Sequence, residues 1–340
     1  MRRPIKRTTV FVLAIVVMLA LFFASFMIGQ YPMGPTEVVK AIGSKIFGWD
    51  FGLSEMAQTI VWKVRLPRIL AALLVGATLS VAGAVYQGLF RNPMVSPDIL
   101  GASSGAGFGA ALAILLSFSY ALIQVNAFVF GIMAVGIAYF LCQRVSQGKD
   151  ALLMLVLTGT IVSTLFSSFI TLTKFVADPD SKLPEITYWL MGSLATITLD
   201  DIAFLIPPLL IGFIPLFSLR WQINAMAFGD EEAQAMGLNV KRLRFLFIVT
   251  STLLTSAAVA VSGIIGWVGL VVPHMVRFMV GPNYRDLLPM SFIVGGTFLL
   301  AVDDIARTLF TSEIPLGILT SIIGAPFFFY LLLKRKKASQ

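Results

Sequence analysis

At 340 residues the chain is long enough for two ordinary soluble domains, yet 58% of it is hydrophobic, 12% is charged and its mean hydropathy is +0.91, a composition outside the globular range. It reads as an integral membrane protein: spans of roughly 20 apolar residues allow about ten crossings joined by short loops and leave no room for a separate catalytic domain. One cysteine, Cys142, excludes a disulfide framework, one histidine, His274, excludes a site of several imidazoles, and the net charge of +8 reports orientation before it reports nucleic acid.

In chain order, Arg2, Arg3, Lys6 and Arg7 precede an apolar run from Val10 to Ile28. The pattern resembles a signal peptide, but the run exceeds a cleavable core and no small-x-small site follows, so it reads as a retained first helix entering from the cytoplasm. The spans expected from hydropathy are 9–29, 66–90, 100–120, 125–143, 151–175, 201–219, 243–262, 264–280, 288–306 and 316–333. With the N-terminus inside, Lys40, Lys45, Lys63, Arg65, Arg68, Lys174, Lys182 and Arg307 fall outside and the other 17 of the 25 Lys and Arg fall inside. Both termini are therefore expected in the cytoplasm. Two outer segments, 30–63 and 177–200, are too polar for simple turns. The first contains an amphipathic piece from Thr36 to Phe47, and the second is a loop leading into a short helix.

Small residues are dense in several spans, notably Gly101, Gly105, Gly107 and Gly109, then Gly263, Gly266 and Gly269, then Gly295 and Gly296. Close helix packing accounts for them, with a sliding or path-lining role as the sharper alternative. Along the fifth span Thr160, Ser163, Thr164, Ser167, Ser168 and Thr171 cover a broad helical face. They either bond back to their own helix or line a mildly polar path. Pro273 should bend or end the eighth span, and His274 beside it reads as a packing residue.

No phosphate-binding G-x-x-x-x-G-K-[ST] loop occurs, and the spans carry almost no charge at mid-depth. Catalytic residues and a metal site are not expected, and no cofactor is expected in this chain. A stand-alone secondary carrier is the alternative class; it would show a midplane ion site or an inverted repeat, and neither is visible. The most informative polar segment is FGDEEAQAMGLNV, Phe228 to Val240, between the sixth and seventh spans. Asp230 reads as an N-cap, Glu231 and Glu232 occupy the first turn where the macrodipole favours acids, and Gly237 with Leu238 and Asn239 closes the helix.

GDEEAQAMGLNVKRLR, SGIIGWVGLVVPHMVRFMVGPNYRDLLP, DDIARTLF and EIPLGILTSIIGAPFFFYLL, together with the upstream VRLPRILAALLVGATLSVAGAVYQGLFRNPMVSPDILGASSGAGFGA and LPEITYWLMGSLA, resemble the permease family of bacterial ABC importers for iron-siderophore complexes, haem and cobalamin. The resemblance runs from about Val61 to Lys334. It implies an all-α permease of ten transmembrane helices, the type II importer fold, in the cytoplasmic membrane of a bacterium or archaeon. It also implies a second permease subunit, most simply in a homodimer with the path at the interface. The other implied partners are two cytoplasmic subunits that bind ATP and Mg and an extracytoplasmic binding protein that hands over the cargo. The family places its ATPase-coupling helix at the positions of Asp230, Glu231, Glu232, Ala233, Gln234, Ala235, Met236, Gly237 and Leu238. It borders its cavity with the fifth span and uses arginines at the positions of Arg65, Arg68 and Arg307 to receive acidic side chains of the binding protein. Ferric siderophore is the expected cargo, haem and cobalamin are further possibilities, and a molybdate-type oxyanion is the alternative.

Overall fold

The computed structural model describes residues 7–48, 51–146, 151–310 and 312–338, with side chains through Tyr330 except that of Ile46. Arg2, Arg3, Lys6 and Lys149 of the inner charge count lie outside these residues. The described chain is all helix, with no strand. From the N-terminus come α1 (Arg7–Ser25), α2 (Pro35–Phe47), α3 (Glu55–Thr59), a π-helical stretch (Ile60–Arg65) and α4 (Leu66–Leu89). A 3-10 turn (Pro97–Leu100) leads into α5 (Ala102–Leu115), α6 (Tyr120–Val145), α7 (Ala151–Val176), α8 (Lys182–Met191) and α9 (Leu199–Ser218). The chain ends with α10 (Arg220–Phe228), α11 (Asp230–Ala235), α12 (Val240–Ser262), α13 (Val268–Val280), α14 (Tyr284–Ala306) and α15 (Leu316–Ala338).

Among the described residues, seven helical runs are long and apolar enough to cross a bilayer, and α5, α13 and α15 supply three shorter apolar ones. These ten fall on the ten expected runs, and their differences from expectation are physical. The second crossing begins 11 residues, about three turns, before Leu66, because Glu55–Leu89 is one continuous helix of 35 residues. The polar Lys63 and Arg65 and the missing donor of Pro67 disguise that continuation. The π turn carries it, with Leu66 N–H reaching back five residues to the Val61 carbonyl. The outer segment 30–63 thus splits into the surface helix α2 and the head of a span. At the other extreme, α5 and α13 have 14 and 13 residues and reach only about 20 Å at 1.5 Å per residue. Each is preceded by non-helical backbone, tolerated at membrane depth where protein surrounds it. Pro273 neither ends nor truncates α13, which runs through it to Val280.

Burial sorts the bundle into centre and rim. In the most apolar window of each helix, 83% of residues are buried in the run containing α4 and 78% in α12, against 6% in α1 and 28% in α7. The central helix α4 lies antiparallel to α14: Arg68 meets Asp303 at one end, and the Tyr284 hydroxyl donates to the Ala84 carbonyl at the other. Glycines allow that seam, since a Cβ on Gly76 would stand 2.3 Å from the Gly295 carbonyl oxygen. Backbones this close gain dispersion contacts that lipid cannot supply. The second outer segment forms as expected, with an Asp178 turn ahead of α8. The Ser181 hydroxyl and amide, then the Asp180 amide, donate to the Asp178 carboxylate and hold its pKa below the ordinary value.

Candidate functional site

At the inner end, where the basic residues gather, α10 and α11 form a compact projection between α9 and α12. Gly229, not Asp230, occupies the N-cap of α11, so the capping expectation for Asp230 is corrected. Asp230 is the first helical residue, and its carboxylate accepts from Arg244 at 2.5 Å on the following span. The C-terminus closes with a Schellman pair. Leu238 N–H donates to the Ala233 carbonyl at 3.1 Å, and Gly237 N–H to that of Gln234 at 2.9 Å. Gly237 adopts φ +81, the left-handed conformation that glycine takes without a Cβ penalty. The regular helix is therefore Asp230–Ala235, and Met236, Gly237 and Leu238 form its closing turn.

Ala233 is fully buried and Leu238 half-buried, which anchors the projection, while Glu231, Glu232, Gln234, Ala235, Met236 and Gly237 are exposed. Phe228 and Met236 are 76% and 52% exposed. Two carboxylates thus stand beside two uncovered apolar side chains on a rigidly closed turn. That combination of charge and apolar surface suits recognition by another protein.

The outer arginines, which the family resemblance assigns to docking and which could equally anchor the span ends by pairing with Asp303 or Asp304, are buried in the single chain. Arg65, Arg68 and Arg307 are 3%, 5% and 4% exposed, and all are bonded within the chain. Arg65 donates to the Phe26 and Tyr31 carbonyls. Arg68 forks onto Asp303 at 2.9 to 3.1 Å and turns its remaining Nη1 onto Glu313 at 2.7 and 2.9 Å. Arg307 donates to the Ser25 carbonyl at 3.0 Å and to Asp304, whose other oxygen accepts from the Ser25 hydroxyl at 2.6 Å. Charge this deeply buried must be paired, and the guanidinium fork matches carboxylate geometry. These residues lock α1, α4 and α14 together and offer no free guanidinium to a partner.

On α7, Thr160, Thr164, Ser167, Ser168 and Thr171 are exposed in the single chain, and Ser163 is half-buried against the Ser104 hydroxyl at 2.8 Å. Four of the hydroxyls donate back to carbonyls four residues earlier: Thr160 to Val156, Thr164 to Thr160, Ser168 to Thr164 and Thr171 to Ser167. Apart from Ser167, the hydroxyls of this face are satisfied in hydrogen bonds, so an apolar surface could cover most of it without stranding a donor. A cleft of about 410 Å³ lies at the outer end, lined by Glu185, Tyr188, Trp189, Thr196, Ser262 and Glu313 among others. The spacing Gly101-x-Ser103-x-Gly105 opens α5, but the Ser103 hydroxyl donates to Asp98 and the chain's single histidine packs elsewhere, against Phe278 and Phe328. The histidine is therefore not the partner of that serine.

The model of the FecCD transport family matches residues 16–334. The chain belongs to the FecCD transport family. It is 41% identical to the molybdate import system permease protein MolB of Haemophilus influenzae over 91% of either chain. It is 37% identical to the Fe(3+)-citrate import system permease protein YfmE of Bacillus subtilis over 93% of this chain and 92% of that one. A solved structure described as an inward-facing conformation of a metal-chelate type ABC transporter superposes with a TM-score of 0.85 at 38% identity, covering 96% of this chain and 99% of that one. The protein is thus a multi-pass ABC transporter permease, a transport component rather than an enzyme, of the family that serves metal chelates.

Three features escape sequence reasoning. Glu313 as a second partner of Arg68 lies 245 residues away with no periodic signal. The Asp230–Arg244 pair crosses a non-helical turn, so no i,i+4 rule finds it. The exposure of Phe228 and Met236 is visible only once the rest of the loop is folded, because hydropathy assigns such residues to the core.

Proposed function

We propose that this FecCD-family permease is the membrane subunit of an ATP-driven importer in the cytoplasmic membrane of a bacterium or archaeon, and that α11 with its closing turn is the element through which ATP hydrolysis reaches the spans. Two copies pair with the path between them, two cytoplasmic subunits bind ATP and Mg, and an outer binding protein delivers the cargo. The observation that carries the reading is the anchored, exposed turn: Ala233 and Arg244 fix it to the bundle, while Glu231, Glu232 and Met236 are exposed. A rigid projection converts partner closure into motion of the helices that hold it. The outer arginines enter as struts. The test is reconstitution with the ATPase and binding protein: Gly237→Val should insert normally and lose uptake while hydrolysis continues. Normal uptake would count against the assignment.

For the cargo we propose a ferric chelate of the siderophore class. The uncharged hydroxyl face of α7 suits a large chelate that its binding protein has already selected. A molybdate-type oxyanion is the second reading, favoured by the 41% identity to MolB. Calorimetric titration of the cognate binding protein with ferric siderophore and with molybdate separates them, because specificity resides in that partner.

A further inference from the structure

At the inner end one polar cluster is explained neither by membrane crossing nor by the exposed turn. Asn224, in the middle of α10, uses both ends of its amide. Its Oδ1 accepts from the Tyr284 backbone N–H at 2.9 Å, and its Nδ2 donates to Asn283 Oδ1 at 2.9 Å. Only this orientation of the amide fits, because the Tyr284 N–H can only donate. Asn283 is the N-cap of α14, and its Oδ1 also accepts from Arg285 N–H. Arg220, at the head of α10, donates to the Arg285 carbonyl at 3.2 Å. The first turn of α14 is in turn a hub. The buried Tyr284 hydroxyl donates to the Ala84 carbonyl at 3.0 Å and accepts from Arg277 at 3.4 Å. Arg277 also donates to the buried Gln87, whose amide nitrogen reaches the Gly269 and Leu270 carbonyls. Gly88 makes room for the phenol, since a Cβ there would lie 2.3 Å from its oxygen. Through these bonds α10 is joined to α4, α13 and α14.

The other route from α11 into the bundle is the chain itself, reinforced by the Asp230–Arg244 ion pair. It runs into α12 across Met236 to Asn239, which include the left-handed Gly237, whereas only Gly229 separates α11 from α10. The closed turn and the Asp230–Arg244 pair tie α11 to α12, and the single-residue link at Gly229, backed by the paired bonds of Asn224, gives it a second tie, to α14. We infer that Asn224 is a transmission residue: it fixes α10 to the start of α14, so that α10, α11 and the inner ends of α4, α13 and α14 move as one body when α11 is displaced. This rests on the coupling reading of α11 given above.

The experiment uses the full transporter reconstituted in liposomes. Asn224→Ala loses both bonds and should keep ATPase assembly and hydrolysis while cargo moved per ATP falls about fivefold or more, each neutral hydrogen bond contributing about 1 kcal/mol. Asn224→Asp keeps the acceptor for the Tyr284 amide and loses the donor, so its ratio should fall between the two. Unchanged coupling in Asn224→Ala overturns the inference, as does loss of ATPase assembly, which would place Asn224 at the docking surface. A second measurement does not depend on weakening the fold. Asn224→Cys with Asn283→Cys, in a Cys142→Ala background, is joined by a short bis-methanethiosulfonate. The unlinked double variant should show the low cargo-to-ATP ratio of Asn224→Ala, and one moving body predicts that the link raises it towards the parent value; a link that leaves the ratio low, or that blocks uptake until reductant is added, overturns it. Glu231→Arg with Glu232→Arg tests the underlying reading separately. If that charge reversal leaves ATPase assembly intact, the coupling assignment fails, whereas silent Asn224 variants beside a disrupted Glu231/Glu232 variant sink the transmission role alone.

Discussion

The outer end of α4 and α14 and the inner turn at α11 draw on the same kinds of side chain and put them to opposite uses. Outside, Arg65, Arg68 and Arg307 are buried and bonded to Asp303, Asp304, Glu313 or backbone carbonyls of the same chain. Inside, Asp230 alone of three consecutive acids forms an ion pair, and Glu231 and Glu232 are exposed. A charge shut inside a helix bundle must be neutralised where it stands, while one at a wet margin is free to wait for a partner. The position of a charged residue at the end of a span therefore does not tell its role. Whether the chain already satisfies it does.

The sharpest way to break this comparison is at Arg68. Arg68→Glu would place a third carboxylate against Asp303 and Glu313, and losing one member of a buried pair costs about 3–5 kcal/mol. The expected outcome is a sharp fall in the yield of folded protein and in its thermal unfolding temperature in detergent. A variant that folds normally and loses only binding-protein affinity in a salt-dependent way would restore the docking role. Next in size is the seam itself. Gly76→Val drives a side chain into the Gly295 carbonyl, and overpacking of a close interface costs about 1–3 kcal/mol. The same unfolding measurement should register it, and an unchanged midpoint would mean that the seam opens cheaply.

Gly237→Val acts at the other end and for a different reason. A Cβ there meets nothing within 4 Å, so the whole effect is the left-handed φ, a penalty of about 1–2 kcal/mol confined to the turn. Global stability should barely move while uptake falls, which is the signature that separates the presented inner turn from the buried outer cluster. Equal loss of stability and uptake would erase that distinction.

Much of this architecture was legible in the sequence because bilayer thickness imposes a length on apolar runs, and ten such runs fall on ten helices. What failed to show has physical reasons. Pro67 and the charges at Lys63 and Arg65 imitate a helix start, whereas the π turn lets the helix pass through them. The burial of the three arginines was not decided by the sequence, because an arginine beside a span end is equally compatible with water and with a buried carboxylate such as Asp303 or Asp304. The decisive partner, Glu313, is reached only through the folded chain. Asp230 looked like a cap because it precedes two helical acids, yet the extended residue before the helix is Gly229. The inner turn itself was readable, since the signals that close it, Gly237 and Leu238, act over a few residues.

The smallest expected effect concerns α7, which belongs to neither end. Thr164→Val with Ser168→Ala removes two hydroxyls that already bond to their own helix. Since such back-bonding neither stabilises a helix much nor leaves a vacant partner when removed, the change in stability should be about half a kcal/mol or less. Membrane insertion and unfolding temperature should therefore match the parent. If the face covers only lipid or another helix, uptake should match as well. If cargo passes along it, replacing exposed hydroxyls with methyl groups alters the wetting of the path without touching the fold, and uptake should slow with hydrolysis and binding-protein capture unchanged. Measuring uptake against capture in the same liposomes decides between these outcomes. A loss of stability instead would show that the hydroxyls hold a helix contact, and the face would then join the outer arginines as structure.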